Sequence, residues 1–133
     1  TLEHHGMAAL YAHLYPEVFG ADMIEELGTP GFLGLRESFL ALSTKEDLAN
    51  GLKLALTGET SPELLARIQA PTLIVIGDDD ILLSLTGAEE LAERFPNGRY
   101  EIMPRAGHLP FLDDSAGFQA MVAKFVNEVE SHA

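Results

Sequence analysis

The sequence predicts an α/β fold: a helical N-terminal half, then a strand–helix–strand–helix unit whose strands run parallel. Three observations carry this. Residues 72–76 are a continuous, β-branched apolar run, the pattern of a strand buried on both faces. Residues 99–103 are a second strand candidate, set off by Pro96, Asn97 and Gly98. Between them Leu85, Ala88, Leu91, Ala92 and Phe95 share one helical face, and after them Phe118, Met121, Val122, Phe125, Val126 and Val129 form the clearest helical stripe in the chain. Strands joined through a helix in this way are parallel, with a right-handed crossover. Two parallel strands do not make a stable sheet alone, so the rest of the sheet is expected outside this chain.

The first 70 residues read as helices and turns. Met7, Leu10, Tyr11, Leu14 and Val18 are spaced for a helix over 5–19, which Pro16 is expected to end or kink. A short helix over 21–27 is expected to close at Gly28, Thr29, Pro30 and Gly31, and Phe32, Leu35, Phe39 and Leu42 mark a third. Thr44 and Asp47 suggest an N-cap for a fourth helix to Leu56, weakened by Gly51. Residues 57–60 read as a turn. Ser61 as N-cap with Pro62 at the first helical position begins a fifth helix, to about Ile68. Thr86 and Glu89 have capping-box spacing for the helix that follows the first strand.

Composition bounds the function. The 133 residues are 47% hydrophobic and 22% charged, a globular balance with enough apolar mass for a core. No apolar run approaches the roughly 20 residues of a transmembrane helix. The net charge of −13 argues against nucleic-acid and anionic-membrane partners. Without cysteine there is no disulfide, thiolate metal site or cysteine nucleophile; a reducing, cytoplasmic setting is compatible. The N-terminus has neither a signal-peptide pattern nor an initiator Met, so a processed, truncated or excised chain is expected.

The chemistry gathers at the strand ends. Asp78, Asp79 and Asp80 follow the first strand; Gly107 and His108 follow the second. In a parallel unit both ends lie on one edge of the sheet, where open α/β sheets build their sites. A carboxylate there can fix the tautomer of an imidazole and stabilise its charged form, while the other ring nitrogen takes a proton from a nucleophile.

From about residue 64 to 125 these residues resemble the C-terminal part of the α/β-hydrolase family. Residues 71–80 match its Pro-Thr-Leu-hydrophobic-hydrophobic-x-Gly-x-x-Asp strand, and Ala88 to Ala92 match its Ala-Glu-x-Leu-Ala helix. The strand ending in Gly-His is matched by residues 102–108, with Asp113 and Phe118 at the family's carboxylate and aromatic positions. The resemblance implies Asp80 as triad acid, with Asp79 the alternative, and His108 as triad base. It implies the C-terminal portion of a hydrolase sheet (61–133) preceded by a helical cap segment (1–60). Ser84 and Ser115 stand where the family often has Pro, and either can cap a helix.

The family's nucleophile lies in a Gly-x-Ser-x-Gly elbow. None of Ser38, Ser43, Ser61, Ser84, Ser115 and Ser131 has glycines two residues away on both sides, so the nucleophile and oxyanion-hole segments are expected upstream. The implied function is nucleophile–His–acid hydrolysis of a small, apolar, ester-like substrate, without cofactor or metal. The implied partner is a missing N-terminal half or a second copy of the chain. The alternatives are a non-catalytic assembly fragment, or a parent with an Asp nucleophile, as in dehalogenases and epoxide hydrolases. Simpler readings stand beside these: Asp78 and Asp79 as solvated turn residues, the Asp cluster as a Mg²⁺ site, His4, His5 and His13 as surface residues or metal ligands, and Tyr11, Tyr15, Phe32 and Phe39 as cap core or pocket lining.

Overall fold

The computed structural model describes residues 2–58 and 61–131, without the side chains of 2–4; the turn expected over 57–60 and the reading of His4 fall partly or wholly outside them. The elements are α1 (Leu2–Val18), α2 (Ala21–Leu42), α3 (Lys45–Thr57), α4 (Pro62–Leu65), β1 (Thr72–Gly77), α5 (Leu85–Ala92), β2 (Gly98–Met103), α6 (Pro110–Asp113) and α7 (Ser115–Ser131).

Helices α1 and α2 pack through aromatics. Tyr11, Tyr15 and Phe19 project from α1 and its end at the spacing of one helical face, and they are buried against Phe32, Leu35 and Phe39 of α2. The Tyr15 and Phe32 rings meet edge-on with centroids 5.0 Å apart, the arrangement aromatic quadrupoles prefer. The Tyr11 hydroxyl donates to the Phe32 carbonyl at 2.9 Å. Tyr11, Tyr15, Phe32 and Phe39 are therefore packing residues of the helical segment. Pro16 does not break α1, which continues to Val18; the backbone leaves helical values at Gly6 instead (φ 78°). Pro16 removes the one hydrogen bond that an N–H there would make to the Ala12 carbonyl, and the helix ends two residues later. The two helices expected on either side of residues 28–31 are merged in α2, but Gly28, at φ 52°, keeps a break there, a conformation only glycine adopts freely.

Thr44 caps α3 as expected, its Oγ1 accepting from the Asp47 N–H at 3.1 Å. Ser61 does not cap α4: its hydroxyl turns to the Glu63 carboxylate, and the helix stops at Leu65, short of Ile68. The predicted capping box at Thr86 and Glu89 is also displaced. Ser84 is the N-cap of α5, accepting from the Gly87 N–H at 3.0 Å.

Strands β1 and β2 pair in parallel from Thr72 opposite Gly98 to Gly77 opposite Met103. Helix α5 covers one face with Ala88 and Ala92, which are buried with Ile76, Met103 and Ala106. Residues 72–75 are only half-buried, so the expectation of a strand covered on both faces is not met within this chain. Helix α7 docks through Arg99, whose guanidinium meets Glu128 at 2.7 Å and lies 4.7 Å from the Phe125 ring centroid. Asp114, rather than Ser115, caps α7 by accepting from the Gly117 N–H at 2.9 Å.

Candidate active site

Parallel pairing with Gly77 opposite Met103 brings the two strand ends level, and the loops beyond them interlock. The Asp78 N–H donates to the Met103 carbonyl and the Asp79 N–H to the Ala106 carbonyl, both at 3.0 Å. The Asp78 carboxylate accepts from the Arg105 N–H, so Asp78 has a structural partner and is not only a solvated turn residue. A Cβ at Gly77 would lie 1.9 Å from the Ala106 carbonyl oxygen; only glycine allows the loops this approach. Arg105, three residues before His108, takes the left-handed conformation (φ 59°).

The two residues singled out from the sequence meet here. His108 Nδ1 lies 2.9 Å from Asp80 Oδ2. Asp80 Oδ1 accepts from the backbone N–H groups of Leu82 (2.8 Å) and Leu83 (3.0 Å). The Asp80 side chain is 4% exposed and that of His108 42%. Burial pushes the Asp80 pKa up, but the Leu83 N–H, the His108 ring and the Leu82 N–H together outweigh it, and the net direction is below the ordinary carboxylate value. An ionised Asp80 only accepts, so the His108 hydrogen is assigned to Nδ1 and donated to the carboxylate. Nε2 is then the nitrogen left for proton transfer. Asp79 is exposed, and its carboxylate has no part in this contact.

A cleft of about 410 Å³ opens beside the acid loop, between Asp78, Asp79, Asp80 and Ile81 on one side and Pro16, Phe19, Ala21 and Ile24 on the other. The α1–α2 corner thus forms one wall of the space in front of the loop. Among the described residues no group of three or more His, Asp or Glu side chains is arranged to hold a metal ion; His13 instead lies 3.5 Å from Glu17 on the same helix. Ser84 Oγ is engaged in capping α5.

The sequence reading did not assign a role to Asp113. Its Oδ2 accepts from the Gly107 N–H at 2.7 Å and its Oδ1 from the Gly20 N–H at 3.1 Å. Nor did it find the ion pair between Arg105 and Asp22, at 3.1 Å. Spacing marked Asp113 as a carboxylate five residues past a histidine; nothing in the sequence names Gly20, 93 positions away, as the second donor.

A profile of the α/β-hydrolase fold matches residues 34–115. The chain belongs to the α/β-hydrolase fold family. Among curated members, the poly(3-hydroxyalkanoate) depolymerase of Ectopseudomonas oleovorans is 36% identical over 76 residues, covering 57% of this chain and 26% of that protein. Among solved structures, a thermophilic esterase from Thermogutta terrifontis superposes with a TM-score of 0.79 at 20% identity, covering 96% of this chain and 46% of the esterase. The enol-lactonase from Burkholderia xenovorans LB400 gives 0.79 at 24% identity, covering 94% and 46%. At such identities the superpositions establish shared fold. This hydrolase-fold chain spans about half the length of those structures and its matches span about a quarter of the curated relatives. No helix among the described residues is long and apolar enough to cross a membrane.

Proposed function

We propose that this chain supplies the acid and base of a hydrolase site: Asp80 orients His108, and His108 moves the proton. The observation that carries this reading is the 2.9 Å contact between His108 Nδ1 and a nearly buried Asp80 carboxylate at neighbouring strand ends. Nε2 would accept the proton of a nucleophilic hydroxyl as it attacks the substrate carbonyl, and the imidazolium would be stabilised by Asp80. The same nitrogen would then return the proton to the leaving group. The nucleophile comes from polypeptide outside this chain, as a serine in the reading preferred here. Residues 1–60 serve as the cap and 61–133 as part of the catalytic core, in a cytoplasmic enzyme. The substrate in this reading is small, apolar and ester-like; the 36% identity to a poly(3-hydroxyalkanoate) depolymerase supports ester chemistry.

The test uses the complete polypeptide that carries this chain, with a fluorophosphonate probe and p-nitrophenyl butyrate. The expected result is probe labelling and hydrolysis, both lost in His108→Ala while the fold persists. Unchanged turnover in a folded His108→Ala protein rejects the role given to His108. Hydrolysis without probe labelling rejects serine as the nucleophile.

A further inference from the structure

The loop carrying His108 is anchored on both sides of that residue to the corner between α1 and α2. Leu109 N–H donates to the Val18 carbonyl at 3.2 Å, and Gly107 N–H donates to Asp113 Oδ2 at 2.7 Å. The other oxygen of Asp113 receives the N–H of Gly20, the N-cap residue of α2. Both glycines are buried, and their backbones abut. A Cβ on Gly107 would fall 2.7 Å from Gly20 N, and one on Gly20 would fall 2.6 Å from the Arg105 carbonyl oxygen. Two backbone donors at so close a junction need two acceptors from one compact group, and a carboxylate provides them. Its negative charge also suits the N-terminus of α2.

We propose that Asp113 is a positioning residue that clamps the His108 loop to the α1–α2 corner and so holds the imidazole against Asp80. The clamp acts through the backbone: Asp113 accepts from the residue immediately before His108, and the shared carboxylate makes the placement of that residue depend on the start of α2. Substitution by alanine leaves two buried N–H groups without an acceptor. Substitution by asparagine retains one acceptor and turns an amide N–H toward the other donor. The role as an aid to catalysis rests on the hydrolase reading; the effect on the His108 ring does not.

The test reads the ring directly, by ¹⁵N NMR of histidine-labelled complete polypeptide, with the His108 signals assigned by their loss in His108→Gln. The wild-type protein is expected to show the Nδ1–H tautomer. Asp113→Ala is expected to move the His108 nitrogens toward the averaged values of a free imidazole, and Asp113→Asn to move them part of the way. Where the hydrolysis assay is active, kcat should fall with KM little changed, by up to about 100-fold, the cost of a misplacement near 1 Å. Asp114→Ala is the control: it removes the cap of α7 from the neighbouring position and should leave the His108 signals in place. If Asp113→Ala does not fold, Asp113→Asn carries the comparison. Wild-type His108 shifts in folded Asp113→Asn, or an equal shift in Asp114→Ala, would overturn the proposal. A tautomer change in a protein with no hydrolase activity would uphold the clamp and reject the function proposed above.

Discussion

Asp79 and Asp80 are adjacent carboxylates with different surroundings. Asp80 is withdrawn from solvent and accepts from two backbone N–H groups and an imidazole, while Asp79 is exposed. Asp80→Asn is therefore expected to lower kcat by about 10³- to 10⁴-fold, as loss of the tautomer-fixing acid does, and Asp79→Asn to change it little. Steady-state kinetics on both variants decides, and the reverse ranking would reassign the acid. Asp80 also makes stability depend on pH. Its folded-state pKa is depressed, so its contribution is present above the unfolded value, about 3.9, and is lost as pH falls through the lower folded value. Melting curves of wild type and Asp80→Asn should converge as the pH drops below about 4; a constant difference down to pH 2 would contradict the depressed pKa. The pair was legible in the sequence because each residue sits a short, fixed distance past a strand. Asp113 was legible only as a carboxylate, because its second donor lies on another element.

At the scale of the element, helix starts separate pattern from packing. Thr86 and Glu89 have capping-box spacing, yet the helix begins earlier. Asp80 Oδ1 gathers the N–H groups of Leu82 and Leu83 into a turn, and Ser84, in extended conformation (φ −75°, ψ 152°), then caps α5. Ser84→Ala is expected to cost about 1 kcal/mol in chemical denaturation, and Thr86→Ala less; equal losses would restore the original assignment. The aromatic layer between α1 and α2 offers a second contrast. Tyr11 has a hydroxyl partner in the Phe32 carbonyl, whereas the Tyr15 hydroxyl is buried without one among the described residues. Tyr11→Phe should lose about 1 kcal/mol, and Tyr15→Phe should be neutral or stabilising. A destabilised Tyr15→Phe would show that its hydroxyl has a partner in the complete protein. The sequence put Tyr11 on a helical stripe and named Tyr15 beside it as core or pocket lining, but left open which, since packing and pocket lining have the same spacing.

At the scale of the whole molecule, apolar surface is left uncovered on the helical segment, the acid loop and the sheet. Leu42 at the end of α2 and Leu56 in α3 are each 86% exposed, Leu54 in α3 70% and Ile81 in the loop after β1 69%, and β1 remains half-buried. Produced without further polypeptide, the chain should self-associate and bind a hydrophobic dye; a dye-silent 14.4 kDa monomer in sedimentation velocity would show that the chain needs no covering partner. The sequence by itself determined the α/β class, the two parallel strands and the placement of an acid and a histidine past their ends, because these follow from local runs, helical periodicity and short loops. Only the tertiary structure decided that Asp80 is the carboxylate in contact, that the N-terminal aromatics pack on one another, and that the α1–α2 corner is joined to the His108 loop through Asp113. Those outcomes depend on hydrogen bonds and close backbone approaches between residues far apart in the chain, which no local pattern records.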